Sequence, residues 1–276
     1  MAHCRLLTFN IAHARGASPL HQSLRSPARF RTNLLKIARL IVRLEADIVA
    51  LQEIDQDSSW NGSFDHLEFL REHTGLAHAV HGVNNRRSGR FQLNYGNAFL
   101  SRFPVHHHEN VSFGRGTVGQ KGFLFAEFDT PAGRVPVVNV HLHHNSRAAR
   151  LRQVVKLMDF IDHQRTHRRA RWRTGPLICG DLNNPSRKPD ATAVLLGYLE
   201  QFENYVLLPK GRAPNTFPSI WPSRALDYIY LPGTCAETQA VVVRSYLSDH
   251  RPVLAQFDVS PAEATPPGRT RPPFGP

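Results

Sequence analysis

The chain has 276 residues, 41% hydrophobic and 20% charged, a mixture that builds one large folded domain and excludes a wholly disordered chain. Its longest apolar run is four residues, far short of the roughly 20 that a membrane-crossing helix requires, and three scattered cysteines make neither a disulfide framework nor a metal-like spacing. The net charge of +12, carried by 29 arginines and five lysines, suits a polyanionic partner such as nucleic acid, and it equally suits a chain encoded by GC-rich DNA.

The opening MAHCRLLTFNIA lacks the basic and long apolar parts of a secretory leader, so a cytoplasmic location is expected. Within it CRLLTFNI (4–11) reads as a strand buried on both faces that stops at polar Asn10. After a basic, Pro-containing stretch (15–29), FRTNLLKIARLIVRL sets Leu34, Ile37, Leu40, Ile41 and Leu44 at helical spacing. DIVALQEID is a second buried strand running into Glu53, and SFDHLEFLREHTG is a short helix closed by Gly75. Strands are then expected over Ala98–Leu100, Val105–Phe113, Gly122–Phe128 and Val135–Leu142.

SRAARLRQVVKLMDFIDHQ (146–164) is the second strong helix, with Leu151, Val154, Val155, Met158 and Ile161 assigned to its apolar face. PLICGDLNN is a strand opening into a polar loop, and ALDYIYLPG, QAVVVRSYL and RPVLAQFDV are three more strands. Six prolines fall between Pro261 and Pro276, which reads as a disordered tail. The mixture of crossover units and hairpin-like runs predicts one mixed-sheet α/β domain over residues 1–260, with a monomer expected.

Polar residues able to hold a metal or a phosphate stand where the apolar strands stop: Asn10, Glu53, His141, Asp181, Asn183, Asp227, Asp249 and His250. Each alone is an ordinary turn or loop residue. Together they meet the needs of phosphate-ester hydrolysis. Glu53 and Asp249 are hard oxygen donors suited to Mg²⁺, with Mn²⁺ as a substitute. Asp181, Asn183 and His250 have the chemistry to activate a water and to neutralise charge on the non-bridging oxygens, and Asp227 is able to orient and charge-stabilise His250.

Read in order, TFN, LQEID, YGNAFLSRFP, NVHLHH, GDLNN, TFPSIWPSRALDYIY and SDHRPV, spread from Thr8 to Val253, resemble the endonuclease/exonuclease/phosphatase superfamily of DNase I-like metal-dependent phosphoesterases. The resemblance implies a four-layer α/β/β/α sandwich with two mixed β-sheets face to face and helices outside. It implies Mg²⁺ on Glu53, helped by Asn10 and Asp249, and a His250–Asp227 pair that either activates water or stabilises the transition state. Asp181 would position or deprotonate the nucleophilic water, Asn183 would hold a phosphate oxygen, and His141 would donate to the phosphate or the leaving group. The implied reaction is in-line attack of water at phosphorus.

The charge tips the expected substrate toward nucleic acid. Arg86 and Arg87 fall in one loop, and Arg168 and Arg169 fall in another around Trp172, an arrangement able to grip backbone phosphate and stack a base. The alternatives are a phosphatase or phospholipase C-type hydrolase acting on a phospholipid or inositol phosphate, a catalytically inactive basic nucleic-acid-binding protein, and a zinc hydrolase using His141 and His143 of NVHLHH.

Overall fold

A computed structural model describes residues 2–18, 26–114, 116, 119–184, 190–210 and 214–259; the proline-rich stretch 261–276 expected to be disordered lies outside them. The first half of the chain gives β1 (Ala2–Asn10), α1 (Pro27–Arg43), β2 (Ile48–Asp55), α2 (His66–Thr74), β3 (His78–Arg87) and β4 (Leu93–Ser101). Then come β5 (Val105–Ser112), β6 (Gly122–Thr130), β7 (Gly133–His141), α3 (Arg147–Arg168), β8 (Leu177–Asp181), α4 (Ala191–Leu199), β9 (Tyr205–Leu208) and β10 (Asp227–Pro232). The hairpin β11 (Cys235–Val242) and β12 (Val253–Val259) returns to pair with β1.

Two six-stranded sheets result, in the orders β11-β12-β1-β2-β4-β3 and β5-β6-β7-β8-β10-β9. Each has one parallel pair at its centre, β1 with β2 and β7 with β8, and antiparallel neighbours elsewhere. The second sheet repeats the topology of the first, which a scan of residues for internal repeats does not reveal because the topology recurs and the side chains do not.

Alternation along the strands divides the core into three layers. Leu6, Ile48, Ala50 and Phe99 face Leu124, Val137, Leu177 and Ile229 between the sheets. Leu7, Phe9, Val49 and Leu51 turn outward onto Phe30, Leu34, Ile37 and Ile41 of α1 and Leu67 and Leu70 of α2. On the other side Phe123, Val138, Val140 and Ile178 pack on α3 and α4. This is the four-layer sandwich, and with each fully buried Leu, Ile or Phe worth about 1.5–3 kcal/mol the alternation accounts for most of the driving force.

The helix ends follow their local chemistry. Asp65 caps α2 by accepting from the N–H groups of Leu67 and Glu68, and Gly75 closes it at φ +71°. The buried face of α3 is Arg150, Val154, Leu157, Ile161 and Gln164, and Val155 is exposed, a correction to the face read from the sequence. Residue 155 lies about 100° around the helix from 154, so both cannot face the sheet. Among the described residues no helix is long and apolar enough to cross a membrane.

Candidate active site

All four strands of the two parallel pairs end on the same side of the molecule, because β1, β2, β7 and β8 run parallel within each pair and the sheets pack with those ends together. Register brings Asn10 opposite Gln52 in one sheet and His141 opposite Asp181 in the other. Gly180, at φ +138°, makes the second pairing possible: a Cβ there would stand 1.9 Å from the Val140 carbonyl oxygen. Beneath the strand ends the sheets are tied by buried amides. Gln52 Nε2 donates to Asn139 Oδ1 (2.7 Å), Asn139 Nδ2 donates to the carbonyls of Leu51 (2.8 Å) and Ala98 (2.9 Å), and Asn97 Nδ2 donates to those of Gly122 and Asn139 (3.1 Å each).

Above these ties opens a cleft of about 500 Å³ whose walls include Asn10, Glu53, His141, Asp181, Asn183, Asp249 and His250. Asp181 is its hub. Its Oδ2 accepts from Asn10 Nδ2 at 3.0 Å and lies 3.4 Å from His141 Nε2 and 3.7 Å from His250 Nε2, while Oδ1 accepts the backbone N–H of Asn183 at 2.9 Å. Behind it His250 Nδ1 meets Asp227 Oδ2 at 2.9 Å, and the Phe217 ring packs 4.9 Å from the imidazole. Asn183 sits at φ +49°, a conformation Asn tolerates, and spends one amide hydrogen on the Leu142 carbonyl at 2.9 Å.

Electrostatics separate the groups. Burial, with Asp227 adding to it, raises the Asp181 carboxyl to about 7 against the pull of His250. For His250 burial works downward, but the Asp227 and Asp181 carboxylates overcome it and raise the ring to about 10. His141 goes the other way, held well below the ordinary histidine value by burial and then by Lys121. Lys121 Nζ, which has only hydrogens to give, lies 3.5 Å from His141 Nδ1, so the neutral ring carries its proton on Nε2, the nitrogen toward Asp181.

Glu53 occupies a β-bulge, where the register of β2 against β4 slips between Gln52 and Ile54, and it adopts φ +52°. The bulge takes the residue out of the ladder and aims its side chain into the cleft. Its Oε1 accepts from Lys121 Nζ at 3.1 Å and stands 3.9 Å from His141 Nε2. Burial works to raise this carboxyl, but Lys121, His13 and His141 together hold it well below the usual range. Asp249, across the cleft, is ion-paired with Arg15.

These donors fit a hard divalent cation. Glu53 and Asp249 are carboxylates already matched to organic cations, and Asn10 Oδ1 keeps a lone pair beyond its bond to the Ala12 N–H (3.0 Å). The three thiols are buried in the layers of the fold, away from the cleft. A zinc set on His141 and His143 does not form: among the described residues the one group of three such ligands with atoms within 4.8 Å of each other is Asp181, Asp227 and His250.

Two basic clusters fare differently. Arg86 and Arg87 are exposed at the end of edge strand β3, just past the row in which Asp55 pairs with Tyr95 and Tyr95 with Asn85, so they lie on the side of the molecule that carries the cleft. Trp172 corrects the expectation of a base-stacking aromatic: it is 5% exposed, packs in the layer under α3 and donates through Nε1 to buried Glu127 at 2.8 Å. Arg168 stands 3.6 Å from the same Glu127 carboxylate, and Arg169 donates to the Trp172 carbonyl at 3.2 Å. This turn lies at the far end of α3, opposite the cleft. An unpaired buried carboxylate is costly, and the arginine and indole answer that need.

Residues that sequence reasoning did not reach include Lys121, Arg15, Arg224, His13 and Asp55. Lys121 carried a usable signal, a lone lysine immediately before an apolar strand in QKGFLFAEF. His13 and Asp55 carried none, since their pairing depends on a turn and a bulge.

The model of the Endonuclease/Exonuclease/phosphatase family matches residues 7–250, and the chain belongs to that family. It is similar to the uncharacterized protein YbhP of Escherichia coli K12, 27% identical over 227 residues that cover 78% of this chain and 84% of that protein. Among solved structures it shares its fold with an endonuclease/exonuclease/phosphatase from Beutenbergia cavernae (TM-score 0.70, 19% identity, 94% of this chain and 72% of that one). It also shares it with beta toxin from Staphylococcus aureus (TM-score 0.67, 17% identity, 91% and 99%).

Proposed function

We propose that the protein is a Mg²⁺-dependent phosphoesterase that hydrolyses a phosphodiester, with nucleic acid as the substrate class, by in-line attack of water. The observation that carries this reading is the convergence of Asn10, His141 and His250 on Asp181 Oδ2 in one cleft beside Glu53. Asp181, raised to about 7, is matched to the task of general base at neutral pH. His250, raised to about 10 by its acidic neighbours, is an imidazolium under the same conditions and is assigned to stabilising charge on the phosphoryl oxygens rather than to removing a proton. Neutral His141 presents an Nε2 hydrogen to a phosphate or leaving-group oxygen, and Asn183 lines the cleft with one amide hydrogen still to give.

Glu53, Asn10 and Asp249 would hold the cation, which when bound supplies Lewis-acid polarisation of a phosphoryl oxygen. The nucleic-acid assignment rests on charge: Arg15, Lys121 and Arg224 line the cleft, Arg86 and Arg87 extend that side, and the chain carries +12 overall. The test is hydrolysis of bis(p-nitrophenyl) phosphate with Mg²⁺, alongside single-stranded DNA, RNA, sphingomyelin vesicles and inositol phosphates. Activity that disappears with EDTA and in Asp181→Asn is expected, greatest on DNA or RNA. Full activity in Asp181→Asn would overturn the mechanism, and preference for the vesicles or inositol phosphates would replace the substrate class.

A further inference from the structure

One buried histidine beside the cleft has no part in the reaction just described, yet the fold goes to unusual lengths to place it. Ala12, His13 and Ala14 adopt φ of +48°, +55° and +58°, three successive non-glycine residues in the left-handed region. Each such residue costs of order 1 kcal/mol, so the surroundings must dictate the turn. They do so at every residue: Ala12 N–H donates to Asn10 Oδ1 (3.0 Å), the His13 carbonyl accepts from Asn61 Nδ2 (3.0 Å), and the Ala14 carbonyl accepts from Asn33 Nδ2 (3.1 Å).

The side chain is held as firmly. His13 Nδ1 meets Asp55 Oδ2 at 2.7 Å, and Asp55 is itself fixed by Trp60 Nε1 (2.7 Å) and Asn61 Nδ2 (2.6 Å). The rings of Trp60 and Tyr95 stand edge-on at 5.2 and 5.0 Å. With Nδ1 committed, the remaining Nε2 edge faces Glu53, 3.7 Å from Oε2, while Lys121 lies on the other oxygen, Oε1, at 3.1 Å. Glu53 sits on a bulge and outside the ladder, so strand pairing does not set the direction of its carboxylate.

We propose that His13 is a positioning residue, anchored by Asp55, that fixes the orientation in which the Glu53 carboxylate faces the cleft, where it would hold a divalent cation. Metal-binding carboxylates need such outer partners to hold their orientation, and losing one commonly costs 10- to 100-fold in metal affinity or activity. The inference rests on the phosphoesterase reading for the presence of a cation at Glu53, and on the turn, the anchor and the 3.7 Å contact for the role of His13.

Substitutions at one position separate positioning from mere structure. In His13→Asn the amide mimics Nδ1 and keeps the Asp55 contact but is too short to reach Glu53, whereas in His13→Gln the amide reaches toward Glu53. Mn²⁺ binding to the metal-free full chain is measured by titration calorimetry, together with kcat and KM on bis(p-nitrophenyl) phosphate and the urea midpoint. His13→Asn and Asp55→Asn are expected to weaken Mn²⁺ binding about tenfold or more and to lower kcat with KM little changed, and His13→Gln to recover most of the affinity.

Mn²⁺ affinity in His13→Asn within about twofold of wild type overturns the proposal, because the positioning contact is then dispensable. If His13→Ala unfolds, His13→Asn still decides. A wild-type chain that neither binds Mn²⁺ nor hydrolyses the ester removes the phosphoesterase reading itself. A wild type that does both, matched by His13→Asn, removes only the role of His13.

Discussion

The two sheets are built to one plan and carry different chemistry. In each, a central parallel pair delivers two polar strand ends to the cleft, Asn10 and Glu53 from one sheet, His141 and Asp181 from the other. Two buried histidines are held by an aspartate through Nδ1: His13 on Asp55 at 2.7 Å, both from the first sheet's half, and His250, in the loop entering β12 of the first sheet, on Asp227 of β10 in the second at 2.9 Å. The difference lies in what the free Nε2 faces: Glu53, with a lysine beside it, in one case, and Asp181, the proposed base, in the other. On the proposed reading, similar devices serve two tasks, one holding the cation and the other managing protons and phosphate.

The sharpest way to break that division is to damage each side separately. His250→Ala, which removes the proposed charge-stabilising imidazolium, is expected to lower kcat on bis(p-nitrophenyl) phosphate about 10³-fold with Mn²⁺ affinity nearly intact. Glu53→Gln should instead shift the Mg²⁺ concentration needed for half-maximal rate sharply upward. Equal effects of both variants on metal affinity, in calorimetric titrations, would erase the distinction. Asn139→Ala, which removes the side-chain donor to the carbonyls of Leu51 and Ala98 and takes from Gln52 its partner in the other sheet, should cost about 2–4 kcal/mol in urea unfolding.

The His250 side also carries a pH signature in the metal-free protein. Its ring is raised above the ordinary value of 6.5 to about 10 in the folded state. The stability it contributes is therefore fully present below pH 6.5 and is lost as pH rises through about 10. The thermal-midpoint difference between wild type and His250→Asn should shrink across that window, and a difference constant from pH 6 to 10 would contradict it.

The smallest effects concern the two basic clusters. Arg86→Ala with Arg87→Ala should flatten the slope of log affinity for a single-stranded oligonucleotide against log salt by about 1 to 1.5. Arg168→Ala should leave that slope unchanged, and Trp172→Phe should cost about 1 kcal/mol in stability, from the lost Glu127 hydrogen bond, without changing kcat.

Legibility followed the physics of burial. Polar residues that end apolar strands stand out because such a run is interrupted by a turn or by groups that face water or a ligand, and Asn10, Glu53, His141 and Asp181 are legible as candidates for that reason. Asp227 and His250 are legible as a pair because an imidazole with acid/base work to do needs a carboxylate behind it, and the two do meet at 2.9 Å. Trp172 misled because a basic turn looks exposed; its need was set by Glu127, 45 residues away. His13 and Asp55 are joined through a left-handed turn that no residue of AHA announces. Helix α4, ATAVLLGYL, is apolar nearly all round and has no polar face to mark its period, and strand β9 has only four residues.

The amide ties between the sheets have a consequence for how such a molecule can vary. Gln52, Asn97 and Asn139 act as a dowel: slide one sheet past the other by a residue and their amide groups lose their mates in a place where water cannot replace them. The Asn10 amide and the Asp181 carboxylate, carried by separate sheets, therefore stay in register while the surrounding surface is free to be rewritten.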